Sequence, residues 1–308
     1  MAAQARAETP KTKGAQRRRQ ESLTAYLFIT PYLVAALVFT VGAVLYAFVI
    51  SFTNLRLLNT PTFVGLDQYK AVLTDSHFRK ALGNTVLFSV IVVFAQTWLA
   101  LIMAAVLNAK IRGLRFFRTA WYAPSVTSSV VVSLIFFWLY KPNGYFNYIL
   151  VTLFGWLGYQ PVDFLNTTTW ALPAIMTQNI FTTAPTFMLM FLAALQDIPR
   201  DVYEAAAIDG ATGTRTFFNI TLPLLRPVIF LVVVLGTIGT LQVFDQIVVM
   251  TEDGGPLEST TTVAYMIYRS AFKSSQMAQA SAMAFVLFVI IFVLFLIQRR
   301  FLESSNEV

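Results

Sequence analysis

The sequence predicts an all-α integral membrane protein with six transmembrane helices and both termini in the cytoplasm, and three observations carry that expectation. Of its 308 residues 57% are hydrophobic and only 12% charged, too little polarity to cover a soluble globule of this size. Six apolar runs are long enough to span a bilayer, because a helix rising about 1.5 Å per residue needs roughly 20 residues to cross about 30 Å of hydrocarbon. With the N-terminus inside, fifteen of the 22 lysines and arginines fall on the inner side and seven on the outer, as the retention of positive charge in cytoplasmic loops requires.

The elements follow in order. Residues 1–22, polar and rich in Ala, Lys, Arg and Gln, read as a disordered basic cytoplasmic tail. The apolar run behind them is too long for the h-region of a signal peptide and lacks an A-x-A exit. A membrane domain over 23–298 then places spans at about 23–52, 85–107, 120–140, 170–195, 228–250 and 280–297, the third bracketed by Arg118 and Lys141. Residues 299–308 form a cytoplasmic C-terminal tail. The stretch Pro142–Val162 also lacks charge, but its apolar core Tyr148–Tyr159 is broken by Gly155 and Gly158 and closed by Pro161. It is expected as a short helix lying at the interface, not as a seventh span.

Composition also excludes chemistry. Cysteine is absent and His77 is the single histidine, which removes thiolate nucleophiles, disulfides, Cys/His zinc sites and HExxH helices. No catalytic residue, metal or cofactor is expected. There is no GxxxxGK[ST] loop and no Gly-Lys dipeptide, so the chain cannot cradle nucleotide phosphates by that route and any ATP must be hydrolysed by a partner. The basic residues are shared among four inner segments at membrane ends, which explains the net charge of +7 by topology and leaves no nucleic-acid face.

One soluble stretch departs from ordinary loop composition: Gln196–Pro227, QDIPRDVYEAAAIDGATGTRTFFNITLPLLRP. Asp201 and Glu204 suggest a capping-box-like start, Ala205–Ala207 are strong helix formers, and Gly210 is placed to end a two-turn helix. Gly213 permits a bend, Thr214–Ile220 a second short helix, and Pro223 and Pro227 mark the return to the membrane. The spacing Glu204-Ala205-Ala206, three residues, Gly210, nine residues, Ile220, one residue, Leu222-Pro223 resembles the EAA signature of ABC-importer permeases, EAAx3Gx9IxLP, at every specified position.

The likeness extends along nearly the whole chain and is similar to the carbohydrate branch of that family, the maltose and glycerol-3-phosphate type. Phe63-Val64-Gly65-Leu66 with Tyr69, then Asn84-Thr85, Arg118, Pro124, Leu195-Gln196-Asp197-Ile198-Pro199, Phe244-Asp245 and Gly254-Gly255-Pro256 all resemble its local strings. Gln68 stands where the family usually shows Asn, Phe181 where a Trp is common, and the large external insertion of the maltose-type subunit is missing.

The resemblance implies a type I ABC-importer permease fold in a bacterial or archaeal cytoplasmic membrane. It also implies a second homologous permease, usually a different chain, two cytoplasmic ATPases, and an external solute-binding protein that delivers a sugar. It assigns ATPase coupling to Glu204, Ala205, Ala206, Asp209, Gly210, Ile220, Leu222 and Pro223.

Polar side chains inside spans are costly and face a cavity or a partner helix. Those singled out for the solute path are Gln178, Asn179, Gln242 and Asp245, with Phe181 and Phe244 available to stack on sugar faces. For the amides, Gln96 and Gln246 included, interhelical hydrogen bonding is the competing role. The rival reading of the whole chain is a secondary transporter driven by an ion gradient, for which only Asp245 is available as an intramembrane acid.

Overall fold

The computed structural model describes residues 24–56, 60–109 and 113–302. The basic tail expected over 1–22 and the C-terminal tail beyond residue 302 lie outside the described residues. Those described are helical throughout, apart from turns and one isolated antiparallel bridge between Thr53 and Phe63.

Four helices are long and apolar enough to cross a membrane: α1 (Thr24–Ile50), α3 (Ser76–Asn108), α7 (Ala171–Asp197) and α13 (Met277–Leu302). Between α1 and α3 lies the short α2 (Asp67–Thr74). Two bent pairs of helices are apolar enough for a membrane only when taken together, α4 (Leu114–Val126) with α5 (Ser129–Leu139), meeting at 96°, and α9 (Thr214–Leu224) with α10 (Arg226–Leu241), meeting at 68°. The remaining helices are α6 (Tyr145–Phe154), α8 (Arg200–Ile208), α11 (Asp245–Met250) and α12 (Val263–Tyr268).

Two of the expected spans are thus not single rods. In the third, the chain leaves the helix at Thr127 and re-enters at Ser129, and the hydroxyls of Thr127 and Ser125 donate to Ala123 O (3.0 Å) and Tyr122 O (2.7 Å). Hydroxyls that satisfy backbone carbonyls in this way let a helix end inside an apolar layer. The fifth stops at Leu241 instead of running to Met250. There Val243 O is taken by the Thr262 hydroxyl at 2.7 Å, so Asp245 opens a separate short helix, half-buried, and is not the interior of a span.

The core is the pairing of α3 with α7, the most extensive helix contact in the molecule. One apolar cluster (Phe88, Val92, Ile175, Ile247, Met250, Tyr265) lies toward the end where α7 begins. A second (Leu101, Leu107, Met188, Phe191, Leu225, Val232) lies toward the end where α7 delivers the chain to α8. Helix α1 contributes to neither; none of its apolar window is buried, against half for α7.

Candidate functional site

The loop after α7 is built by local rules. Pro199 precedes α8 in an extended conformation (φ −59°, ψ 141°) and no side chain caps the helix. The capping box expected of Asp201 and Glu204 is therefore not formed. Asp201 instead sits inside the first turn, where a carboxylate complements the exposed N–H groups. The other end is as expected: Gly210 takes φ 77°, Gly210 N–H donates to Ala207 O (3.1 Å) and Ala211 N–H to Ala206 O (2.9 Å). This is the paired closure of a Schellman motif, which needs a residue free to adopt the left-handed region.

The signature residues divide into two groups. Glu204, Ala205, Asp209 and Gly210 are exposed, and Ile208 beside them is 87% exposed. Ala206 is buried, while Ile220, Leu222 and Pro223 are half-buried, with Leu222 packing on the cluster that holds Leu225. The Tyr203 hydroxyl lies 3.3 Å from that of Thr221 and ties α8 to α9. The outcome is a stiff elbow that turns one short face away from the helix bundle and seats its other face on the core.

The intramembrane amides meet between α3, α7, α10 and α11. Thr183 donates to Gln96 Oε1 (2.6 Å), Asn179 Nδ2 donates to Gln246 Oε1 (3.1 Å), and the hydroxyls of Ser89 and Thr240 lie 2.8 Å apart. The interhelical role is thus the one seen for Gln96, Asn179 and Gln246. The Gln96 amide lies so close to Gly236 that a Cβ there would displace it. Gln178 is fully buried with neither amide atom paired to protein, and Asn179 Oδ1 and Gln96 Nε2 are likewise unpaired. Unpaired buried amide atoms cost on the order of 1–3 kcal/mol each.

Other path candidates lie elsewhere. Gln242 and Phe244, exposed at the break after α10, line a cavity of about 580 Å³ with Tyr268, Phe272 and Leu287. The rings of Phe244, Tyr268 and Phe272 follow one another at 5.7 and 5.5 Å. Tyr268, central to this ladder, is not among the path residues expected from sequence; a single aromatic beside Arg269 carries no periodic signal. Phe181 stands apart against Phe136 (5.4 Å), and Asp245 does not line the cavity.

At the opposite end from the elbow, residues 251–262 form a tight loop. Asp253, Leu257 and Glu258 hold positive φ (45°, 52° and 57°), a conformation costly for side-chain-bearing residues. The loop is clamped to the start of α3: His77 Nδ1 pairs with Glu258 Oε2 at 2.6 Å, Lys80 donates to Leu257 O, and Asn84 Nδ2 donates to Thr261 O at 3.0 Å. Arg269 Nη1 donates to Glu258 Oε1 at 3.2 Å. The His77 bond, with Arg269 after it, holds the Glu258 carboxyl below its ordinary 4.5 against the effect of partial burial.

Residues 96–304 match the family described as binding-protein-dependent transport system inner membrane component. The chain is 38% identical, over 84% of its length and 87% of the relative's, to the multiple sugar-binding transport system permease protein MsmF of Streptococcus mutans. It is 36% identical, over 88% of its length and 91% of the relative's, to the trehalose/maltose transport system permease protein MalF of Thermococcus litoralis. Its fold matches a chain of the crystal structure of a bacterial ABC transporter involved in the import of the acidic polysaccharide alginate, with TM-score 0.81 and 22% identity over 95% of this chain and 99% of that one. A stiff elbow on the EAA spacing, a helical membrane core and a match over two thirds of the length agree: the chain belongs to the binding-protein-dependent inner-membrane transport components, the permeases of ABC importers.

Proposed function

We propose that this chain is one of two permease subunits of an ATP-driven importer that carries a carbohydrate into the cell by alternating access. The observation that carries the reading is the elbow, in which Glu204 and Ala205 are turned outward on a helix closed at Gly210 while Ala206 is buried and Leu222 packs on the core. A rigid two-turn helix transmits displacement to the bundle, whereas a flexible loop absorbs it. Counting each bent pair as one span gives six, and on that count the excess of lysine and arginine supports a cytoplasmic position for both termini and the elbow.

The partners follow from that arrangement: two cytoplasmic ATPases at the elbows, a homologous permease, and an external solute-binding protein. The unpaired amides of Gln178 and Asn179 suit a polar interior that re-pairs between states, because each state is favoured by a different ligand. The Phe244–Tyr268–Phe272 ladder with Gln242 offers apolar ring faces and one amide, the combination that suits a sugar's CH face and hydroxyls.

Glu204→Lys reverses the exposed charge without touching a packed atom. It is expected to leave the subunit inserted and to lose the ATPase on purification in mild detergent. Normal retention of the ATPase, or sugar uptake that survives ATP depletion and collapses with the proton gradient, would overturn the reading.

A further inference from the structure

Helix α6 with its closing turn Gly155–Leu157 rests on the core through Leu150 and Phe146 and turns most of its other apolar residues outward. Among its residues only Asn147 is buried, at 1% exposure. Its amide is fully used: Nδ2 donates to Lys141 O (2.9 Å) and Val162 O (2.8 Å), and Oδ1 accepts from Val162 N–H (2.9 Å) and the Tyr159 hydroxyl (3.2 Å). One polar side chain therefore locks the two ends of the excursion together, while Tyr145, Tyr148, Leu153, Trp156 and Leu157 all point outward, Trp156 at 81% exposure.

Two outward polar groups, on Thr152 and Trp156, are turned back on the helix. Thr152 Oγ1 donates to Tyr148 O (2.8 Å) and Trp156 Nε1 to Leu153 O (2.9 Å). With these donors satisfied internally, the helix can lie against lipid without leaving them unpaired. No charged residue occurs between Lys141 and Asp163, and Lys141 itself lies over the rings of Phe137 and Trp138 (4.7 and 4.8 Å). The preceding helix α5, part of a bent pair apolar enough to span, likewise exposes Leu134, Ile135 and Trp138. At ten residues, α6 is only about 15 Å long and cannot cross.

We propose that α6 is a phospholipid-docking strap, lying flat in the headgroup and acyl boundary on the face opposite the elbow, with Asn147 as its internal fastener and Leu153 and Trp156 as its inserted residues. The tyrosines and Trp156 are the residue types that settle at that depth, and Lys141 supplies a cation at the phosphate level. The occupant of this surface is the lipid bilayer, not the binding protein or the second permease. The proposal rests on reading α5 as part of a span.

The chain has no cysteine, so single labels are unique within it. Spin labels at Leu153→Cys and Trp156→Cys, with Ile135→Cys and Asn166→Cys as controls, are read in the assembled importer in phospholipid nanodiscs, with ATPase co-purification confirming the fold. The strap is expected to collide more with oxygen than with an aqueous nickel chelate, as Ile135 does and Asn166 does not. Labels at 153 and 156 that behave like Asn166, or that are shielded from both quenchers with or without added binding protein, overturn the proposal while a lipid-facing Ile135 keeps the span reading intact. An aqueous Ile135 removes both.

Discussion

The elbow over 196–227 and the loop over 251–262 are both turns at the end of a helix bundle, yet they are held by different forces. The elbow is closed by backbone hydrogen bonds at Gly210 and seated by apolar contacts around Leu222 and Leu225. The opposite loop keeps three non-glycine residues at positive φ and is pinned by Glu258, His77, Arg269 and Lys80. Apolar and backbone fastening is insensitive to salt and pH; charged fastening at a surface is neither. A part that must move as one piece suits the first, and a part that must yield suits the second.

The strongest way to break this contrast is at Gly210. Gly210→Pro locks φ near −65° where the chain needs 77° and removes the N–H that reaches Ala207, a local cost of about 3 kcal/mol or more. The subunit should still insert, with ATPase retention falling at least about tenfold, since 1.4 kcal/mol already corresponds to that factor. Retention equal to the unmodified chain would show that the elbow is not rigid by closure.

Leu225→Ala comes next. The side chain is 1% exposed in the cluster beneath the elbow, so its removal should cost roughly 2–4 kcal/mol and lower the thermal unfolding midpoint in detergent at any salt concentration. Glu258→Gln should be much weaker, below about 1 kcal/mol for a partly exposed pair, and visible as faster proteolysis at 251–262, with the difference shrinking as salt rises. An effect at Glu258 as large as at Leu225 would erase the distinction between the two ends.

The smallest effect is with pH. The folded carboxyl of Glu258 titrates below its ordinary 4.5, so its contribution is present above that value and is lost as pH falls through the lower folded value. Relative to each amide's intrinsic rate, hydrogen exchange at 251–262 should therefore accelerate as pH falls below 4.5 while exchange at α8 stays level. Equal acceleration in both would contradict the assignment.

Much of this was legible in the chain before any tertiary contact. The EAA spacing located the elbow, and Gly210 ended its helix where expected because a Schellman closure is decided within six residues. The start of α8 was misplaced because Pro199, fixing its own φ, opens the helix without a side-chain cap. Four long apolar helices overlap four of the expected spans, with α3 starting at Ser76 well ahead of the expected residue 85, since apolarity marks the middle of such a helix and not its ends. The break at Gln242–Phe244 was invisible because its cause, the Thr262 hydroxyl on Val243 O, comes from nineteen residues away. Asn147 was invisible as a fastener for the same reason, its partners lying on both flanks of the excursion.

The sequence by itself determined that the chain is helical and belongs in a membrane, because an apolar surface of this extent forces every backbone group to find its partner within the segment. It likewise determined the shape of the elbow's tip. Only the tertiary structure decided which amides meet, where two of the apolar runs bend, and which loop is held by charge. These depend on single atoms brought together from distant positions, and no periodicity in the chain encodes them.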